Sequence, residues 1–258
     1  MELNGRPADI EQVKALALTN FGHFTSMLVE EGRVRGLSLH LERLRRDCQV
    51  LFAVELDTDR IRAYVRHAVG DGVRVVARVT VYDPALDLGT IGQDADPHIL
   101  VTTRPASPGQ AGPLRLQAAS YRRENPAIKH IGLFGALRHR RAAQREGFDD
   151  VVFLNPDGTL SELATSNIGF VRAGEIVWPR SECLAGVTMT LLNQALDQPV
   201  TTEALKLPDL SAMEAAFATN AATGVRAVVS IDGLTWPDDH KHLGELRDWY
   251  ADIPGEVV

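Results

Sequence analysis

Apolar residues in the first hundred positions follow helical and extended patterns in turn. Helical spacing of apolar side chains predicts three helices, over residues 7–18, 37–52 and 56–69. Runs rich in β-branched residues predict strands over residues 24–30, 33–35, 73–82 and 98–103. The sequence Glu31-Gly32 between the first two strands is typical of a hairpin turn. This half of the chain therefore predicts a small α/β domain.

A break in these patterns divides the chain. Residues 104–113 contain three prolines and two glycines, a composition typical of a linker. We therefore predict a small N-terminal α/β domain, residues 1–103, and a larger C-terminal domain, residues 114–258. The second half predicts strands over residues 114–120, 148–154, 167–171 and 175–178, and helices over residues 132–146 and 189–196. The remaining tail predicts a polar helix in which His240 and His242 lie at the surface.

Composition excludes several classes of protein. The chain has 258 residues and a net charge of −7 without a basic block, which argues against nucleic-acid binding. Cys48 and Cys183 are far apart and form no ligand-spaced cluster, so we expect neither a disulfide scaffold nor a metal site. No apolar run is long enough to span a membrane, and no signal peptide is evident. We expect a cytoplasmic protein.

Lys129 and Glu162 are the strongest candidates for chemistry. Lys129 is one of only four lysines in a chain that otherwise uses arginine for positive charge. An amine can form a Schiff base, whereas a guanidinium cannot be deprotonated in proteins. On local chemistry alone, a covalent role for Lys129 and an exposed position in a loop both remain open.

The wider pattern around these two residues resembles the class IV aminotransferases, which are fold-type IV pyridoxal-phosphate enzymes. The resemblance rests on Lys129-His130, a helix of roughly four turns, the following strand, and Ser161-Glu162 with Asn167 five residues on. It implies a two-domain α/β fold with pyridoxal 5'-phosphate bound between the domains. It further implies that Lys129 carries the cofactor as a Schiff base and that Glu162 faces its pyridine nitrogen. A carboxylate there keeps that nitrogen protonated, so the ring can act as an electron sink.

Further motifs of the same family imply the rest of the cofactor site. The sequence His40-Leu41-Glu42-Arg43-Leu44 is similar to the family's His-x-x-Arg-Leu, whose arginine binds the cofactor phosphate. The stretch from Leu184 to Thr188 is similar to Leu-x-Gly-Val/Ile-Thr, in which a helix N-terminus meets the phosphate. The resemblance assigns cofactor contacts to Arg43, Gly186, Val187, Thr188, Thr219, Asn220 and Ala221, beside Lys129 and Glu162.

Substrate contacts are implied for Phe24, Arg78 and Ala222. Arg78 lies on an apolar-rich strand, where an arginine needs an anionic partner or a path to water. It could meet a substrate carboxylate, or it could bridge two halves of the protein. Both roles remain open.

Two departures from the family pattern bear on activity. Thr25 stands where many relatives have glutamate, and Phe134 stands where the branched-chain group has a tyrosine for the cofactor's 3'-oxygen. The residues Ile-Lys-His around Lys129 are similar to those of the aminodeoxychorismate lyases, which eliminate pyruvate. Three functions are therefore weighed: transamination between an amino acid and a 2-keto acid, a lyase reaction, and binding without catalysis. Transamination is the expected function, and the resemblance also implies a homodimer.

Overall fold

The computed structural model describes residues 1–70, 72, 74–107, 109, 111–195 and 200–258. Four positions used in the predictions lie outside the described residues: Val73 of the third predicted strand, Pro108 and Gln110 of the predicted linker, and Leu196 of the fifth predicted helix.

Groups of strands separate the helices along the chain, except for one pair of consecutive helices. The helices are α1 Ile10–Leu18, α2 Leu37–Phe52, α3 Thr58–Val69, α4 Phe134–Arg145, α5 Val187–Ala195 and α6 Lys241–Asp252. The strands up to the predicted linker are β1 Glu2–Leu3, β2 Arg6–Pro7, β3 His23–Glu30, β4 Arg33–Arg35, β5 Arg74–Tyr82 and β6 His98–Pro105. The strands after it are β7 Leu114–Ser120, β8 Asp150–Leu154, β9 Leu160–Leu163, β10 Asn167–Arg172, β11 Glu175–Pro179, β12 Val200–Glu203, β13 Ala215–Asn220, β14 Gly224–Ile231, β15 Leu234–Thr235 and β16 Gly255–Val257. A 3₁₀ helix, Leu207–Ala212, precedes β13.

The chain forms two compact units. Unit 1 contains Met1–Ser107, Ile128–Gly132 and Gly255–Val258, and unit 2 contains Pro108–Ala127 and Leu133–Pro254. The division into domains at residues 104–113 stays a prediction. Lys129 thus belongs to unit 1, and so does the short final strand β16.

Unit 1 is built on an antiparallel sheet. Its strand order among the described residues is β16-β4-β3-β5-β6-β1-β2. Helices α2 and α3 pack against this sheet through apolar side chains, among them Leu37, Leu41, Leu44 and Ile61. The helix α3 begins where the sequence indicates, since the side chain of Asp57 accepts hydrogen bonds from the N–H groups of Asp59 and Arg60.

Unit 2 is built on a larger, mixed sheet. Its order among the described residues is β12-β11-β10-β13-β14-β7-β8-β9, with β15 paired to β14. The pairs β11–β12, β7–β14 and β7–β8 are parallel, and the others are antiparallel. Helices α5 and α6 cover part of the sheet, where Leu192 and Leu243 are buried with Trp178 and Phe217.

The predicted mixed α/β class is confirmed. Within the described part of the chain, no helix combines the length and the apolar character needed to cross a bilayer. The cytoplasmic location stays a prediction.

Candidate active site

The backbone of Lys129 is fixed on both sides within unit 1. Its N–H donates to Oδ2 of Asp47 at 3.0 Å, and its carbonyl accepts from the N–H of Phe24 at 2.9 Å. Lys129 is also the only lysine of the chain that is partly buried, since Lys14, Lys206 and Lys241 are all exposed. The fold therefore gives this one amine a defined position.

Two cations lie over the ring of Phe24. The guanidinium carbon of Arg78 lies 3.6 Å from the ring centroid, and Nζ of Lys129 lies 4.8 Å from it. This follows from the strand register: Phe24 of β3 lies opposite Thr80 of β5, so Arg78 is its diagonal neighbour. The ring face attracts both charges, which fixes two positive groups near each other.

Arg78 is a desolvated cation whose charge is balanced by few polar contacts. Burial lowers the pKa of its guanidinium, and Nε donates only a long hydrogen bond of 3.3 Å to the hydroxyl of Thr80. No carboxylate pairs with Arg78 in the part of the chain that the structure describes. A partly buried arginine of this kind can bind an anion.

Arg43 lies in a buried network with Thr25 and His40. Its Nη2 donates to Oγ1 of Thr25 at 2.6 Å, and that oxygen lies 2.7 Å from Nδ1 of His40. All three side chains are buried. Thr25, the departure from the glutamate of many relatives, thus serves as a neutral bridge between the helix α2 and the strand β3.

The charge state of His40 is set by its surroundings. Burial, and then the positive charges of Arg43 and Lys129, lower the pKa of His40 well below its ordinary value, so the ring is neutral. Since Arg43 approaches Nδ1 to 3.4 Å as a donor, we assign the proton to Nε2. Arg43 is therefore the charged member of the network that it forms with Thr25 and His40.

Glu162 is the centre of a second cluster, within unit 2. Its Oε1 lies 3.1 Å from Nε of Arg123, and the side chains of both residues are less than 10% exposed, at 8% and 9%. Its Oε2 accepts a long bond of 3.4 Å from the N–H of Leu184. Burial, and then the charge of Glu162, raise the pKa of the nearby Cys183 thiol to about 11. The carboxylate of Glu162 thus has a buried guanidinium as its counter-ion.

Asn167 connects the loop before α5 to the sheet. Its Nδ2 donates to the carbonyl of Leu184 at 2.8 Å, and in β10 it lies opposite Thr219 of β13. A Cβ added to Gly186 would lie 2.0 Å from Oδ1 of Asn167. Only glycine therefore fits at this point of the loop.

The start of α5 presents polar groups of the kind that bind phosphate. The first-turn N–H groups of Val187 and Thr188 have no acceptor within the helix itself. Thr188 is buried, with Oγ1 3.4 Å from the hydroxyl of Tyr250. The hydroxyl of Thr219 is buried and has no hydrogen-bond partner among the described residues. A buried hydroxyl without a partner is a rare feature that a bound anion would satisfy.

The turn after β13 is stabilised by the side chain of Asn220. Oδ1 of Asn220 accepts from the N–H groups of Ala222 and Thr223, both at 3.0 Å, and its Nδ2 donates to Ser166 at 2.9 Å. Asn220 therefore shapes this turn, and Ala221 and Ala222 are partly exposed on it. Phe134, the second departure, is the first residue of α4 and is 81% exposed.

The sequence-predicted residues thus fall into two groups. Unit 1 brings together Phe24, Arg43, Arg78 and Lys129, and unit 2 holds Glu162, Gly186, Val187, Thr188, Thr219, Asn220, Ala221 and Ala222. Sequence reasoning missed Arg123, the counter-ion of Glu162, and His40 as the neighbour of Arg43. Nothing local distinguishes Arg123 from Arg122, whose side chain pairs with the exposed Glu182. His40 stands within the quoted motif, so its helical spacing to Arg43 is a signal that could have found it.

Comparison with known proteins gives consistent matches. The family model for amino-transferase class IV matches residues 22–231. A "Probable branched-chain-amino-acid aminotransferase" from Rickettsia bellii is 26% identical over 273 residues, covering 97% of this chain and 94% of the relative. The branched-chain aminotransferase of Thermoproteus uzoniensis, solved with norvaline, superposes with a TM-score of 0.82 at 22% identity, covering 97% of this chain and 92% of that one. A Legionella pneumophila structure described as a "Putative 4-amino-4-deoxychorismate lyase" gives 0.80 at 22% identity, covering 96% of each chain.

Proposed function

Because this chain belongs to the class IV aminotransferase family and is therefore a pyridoxal-phosphate-dependent transferase, we propose that Lys129 and Glu162 are its two catalytic residues. The reaction moves an amino group between an amino acid and a 2-keto acid. The observation that carries the proposal is the position of Lys129, the one lysine that is partly buried and fixed through its backbone.

Lys129 anchors the cofactor through Nζ and then acts as the acid and base of the reaction. When bound, the cofactor supplies a ring that accepts the electron pair left at the substrate α-carbon. Once released to the amino substrate, the amine of Lys129 would move the proton from that carbon to C4′ of the cofactor, and would move it back in the reverse half of the exchange. Its placement over the Phe24 ring supports this role, because the contact with the ring face restricts the position of the amine.

Glu162 holds the proton on the ring nitrogen of the cofactor. A carboxylate favours the protonated form of that nitrogen by charge. Arg123 supports this role as a positioning residue, since its contact with Oε1 orients the carboxylate while burial keeps water away.

Phosphate contacts are proposed for the residues of each unit by itself. In unit 2 we assign it to the loop from Gly186 to Thr188 and to the hydroxyl of Thr219, which has no partner among the described residues. Asn220 and Ala221 contribute through the turn that they form. In unit 1 we assign a charge-assisted contact to Arg43.

The substrate carboxylate is assigned to Arg78. The supporting observation is a desolvated guanidinium that no carboxylate of the described chain neutralises. Phe24 and Ala222 supply apolar contacts. The names of the relatives make branched-chain amino acids the first donors to test, with 2-oxoglutarate as acceptor. We further propose a homodimer, which is the commonest assembly of soluble oligomers.

The test combines an activity panel with identification of the anchoring lysine. Purified protein is incubated with L- and D-amino acids and several keto acids, and keto-acid and amino-acid products are both measured. Borohydride then fixes the cofactor, and peptide mapping identifies the modified lysine. We expect labelling at Lys129, loss of activity in Lys129→Ala, and full activity in the matched control Lys206→Ala.

Two outcomes would contradict the proposal. Labelling at Lys14, Lys206 or Lys241 would remove Lys129 from its role. Release of pyruvate from aminodeoxychorismate without any keto acceptor, together with no transamination in the panel, would establish the lyase reaction instead.

A further inference from the structure

Three potential metal-ligating side chains meet in unit 2. They are Glu214, just before β13, His240, just before α6, and His242, in the first turn of α6. Each offers one ligand atom, and the three atoms all lie within 4.8 Å of one another. In the part of the chain that the structure describes, this is the one group of three or more such side chains.

The two histidines come together because the helix begins between them. Residues two apart within a helix point in different directions. His240 is the N-cap of α6 and has a non-helical backbone, at φ −57° and ψ 130°. Its ring can therefore stack on that of His242, with the centroids 5.2 Å apart and the planes 20° from parallel. This geometry places two imidazoles on the same side of the helix start.

Both imidazoles have unused polar atoms. The Nδ1 atoms of His240 and His242 are buried and have no hydrogen-bond partner among the described residues. Buried polar atoms are satisfied in the great majority of cases, so these two atoms leave hydrogen-bonding or ligand capacity in both rings.

The third residue is fixed by the adjacent hairpin. The N–H of Glu214 donates to the carbonyl of Val171 at 2.7 Å, and its Oε1 accepts from the N–H of Ala173 at 3.2 Å. The carboxylate is thus directed along the turn between β10 and β11. Oε2 of Glu245 lies 3.9 Å from Nε2 of His242 and offers a second carboxylate.

The donor set identifies the class of ion. Two imidazoles with a carboxylate suit zinc and similar divalent ions of the first transition row, whereas magnesium and calcium prefer oxygen ligands alone. Tetrahedral ligand bonds of about 2.0–2.2 Å place two ligand atoms of one ion about 3.3–3.6 Å apart. Ligand atoms that lie within 4.8 Å of one another therefore reach one ion through side-chain shifts of roughly an ångström.

We propose that Glu214, His240 and His242 bind one divalent transition-metal ion, with zinc as the first ion to test. The ion would link the start of α6 to the turn between β10 and β11. The site uses none of the residues assigned to catalysis or cofactor binding, so it is separate from the proposed reaction.

The test uses untagged, cofactor-saturated protein that has been treated with a chelator and then desalted. Zinc binding is followed by equilibrium dialysis, and cobalt is added separately because imidazole ligands give it a visible absorption band. We expect one equivalent of zinc to bind saturably and to raise the melting temperature. His242→Gln keeps a polar side chain of similar length and should weaken binding by at least about 100-fold, because a direct ligand contributes more than the outer-shell residues whose loss costs about 10- to 100-fold.

A control variant and a milder variant keep the result interpretable. His98→Ala removes a partly exposed histidine of unit 1 and should leave zinc affinity unchanged. Zinc that binds to the cofactor or nonspecifically would be the same in His98→Ala and in His242→Gln, so a difference between these variants reports on the proposed site. Glu214→Gln should weaken binding about tenfold while keeping the contact to Ala173. Absence of saturable binding up to about 100 µM zinc, a concentration far above the dissociation constants of structural zinc sites, would overturn the proposal. Equal zinc affinity in the wild type and in His242→Gln, with circular dichroism showing that both proteins are folded, would overturn it as well.

Discussion

At the scale of single residues, Glu162 provides the sharpest test of the proposed chemistry. Glu162→Gln keeps the size of the side chain and a hydrogen bond to Arg123 but removes the negative charge. Transamination should fall on the order of 10²–10³-fold, as expected when one electrostatic stabiliser is lost, while the cofactor still binds. Single-turnover absorbance with an accepted amino acid separates binding from proton removal.

The buried partner of Glu162 adds a stability effect. Arg123 loses its counter-charge in the variant, which should lower the free energy of unfolding by up to about 3 kcal/mol. The matched control is Glu182→Gln, because Glu182 pairs with Arg122 at the surface, where ion pairs contribute little. A Glu162→Gln variant that reacts as fast as the wild type would show that the carboxylate has no catalytic role.

Arg43 allows a matched comparison on one helix. Arg43→Ala removes a buried guanidinium from the proposed phosphate contact, a loss of roughly 1.5–3 kcal/mol for a hydrogen bond to a charged group. The dissociation constant of the cofactor should rise about 10- to 100-fold. Arg45→Ala, on the exposed side of α2 and paired with Glu42 and Glu55, should leave it unchanged. Equal affinities in the two variants would assign Arg43 to the Thr25–His40 network alone.

At the scale of elements, the loop that precedes α5 requires a glycine at position 186. Gly186→Ala would bring a methyl group to 2.0 Å from Oδ1 of Asn167. The loop or the asparagine must move, at a cost of roughly 1–3 kcal/mol, and cofactor affinity should fall with it. Urea unfolding and a cofactor titration measure the two effects.

Gly244 in α6 is the control for this substitution. A Cβ there would meet no atom within 4 Å. Gly244→Ala should stabilise the protein by up to about 1 kcal/mol, because glycine is unfavourable inside a helix. If Gly186→Ala were equally stabilising, the close approach to Asn167 would not constrain the loop.

The strand β3 carries a titrating group that links stability to pH. His23 is fully buried, and burial lowers the pKa of its ring to about 4, with the charge of Asp47 opposing this. The unfolded chain takes up a proton near pH 6.5, whereas the folded protein does so only near pH 4. The stability contribution is therefore fully present above pH 6.5 and is lost as the pH falls from 6.5 towards 4.

Between pH 7 and pH 5, His23 should account for a loss of about 2 kcal/mol in the free energy of unfolding. His23→Leu should reduce this loss by that amount, as measured by urea unfolding at both pH values. His67→Leu, which removes an exposed histidine, is the control. An unchanged pH dependence in His23→Leu would mean that the buried ring is not the titrating group.

At the scale of the whole molecule, the proposed homodimer is open to direct measurement. We expect light scattering to give twice the 28.2 kDa mass of the chain at micromolar concentration. Because a two-fold interface is self-complementary, a charge introduced at the interface would act twice and would produce monomers. A monomer in the wild-type protein across the micromolar range would contradict the assembly.

The sequence by itself determined most elements and the type of chemistry. Helices such as α2 and α3 depend on apolar spacing and on local caps such as Asp57, which are readable along the chain. The amine of Lys129 and the carboxylate of Glu162 are set by the residue types themselves. The motifs around them indicated the family and its cofactor. These features depend on neighbours in sequence, so no tertiary information was needed.

Only the tertiary structure decided which distant groups meet. It pairs Glu162 with Arg123 rather than Arg122, assigns Ile128–Gly132 and the strand β16 to unit 1, and brings Glu214 to His240 and His242. Such pairings depend on strand register, on burial and on where a helix begins, and each contact links segments whose separation along the chain carries no local signal. Charge compensation and desolvation are properties of the surroundings of a side chain, and those surroundings exist only once the chain has folded.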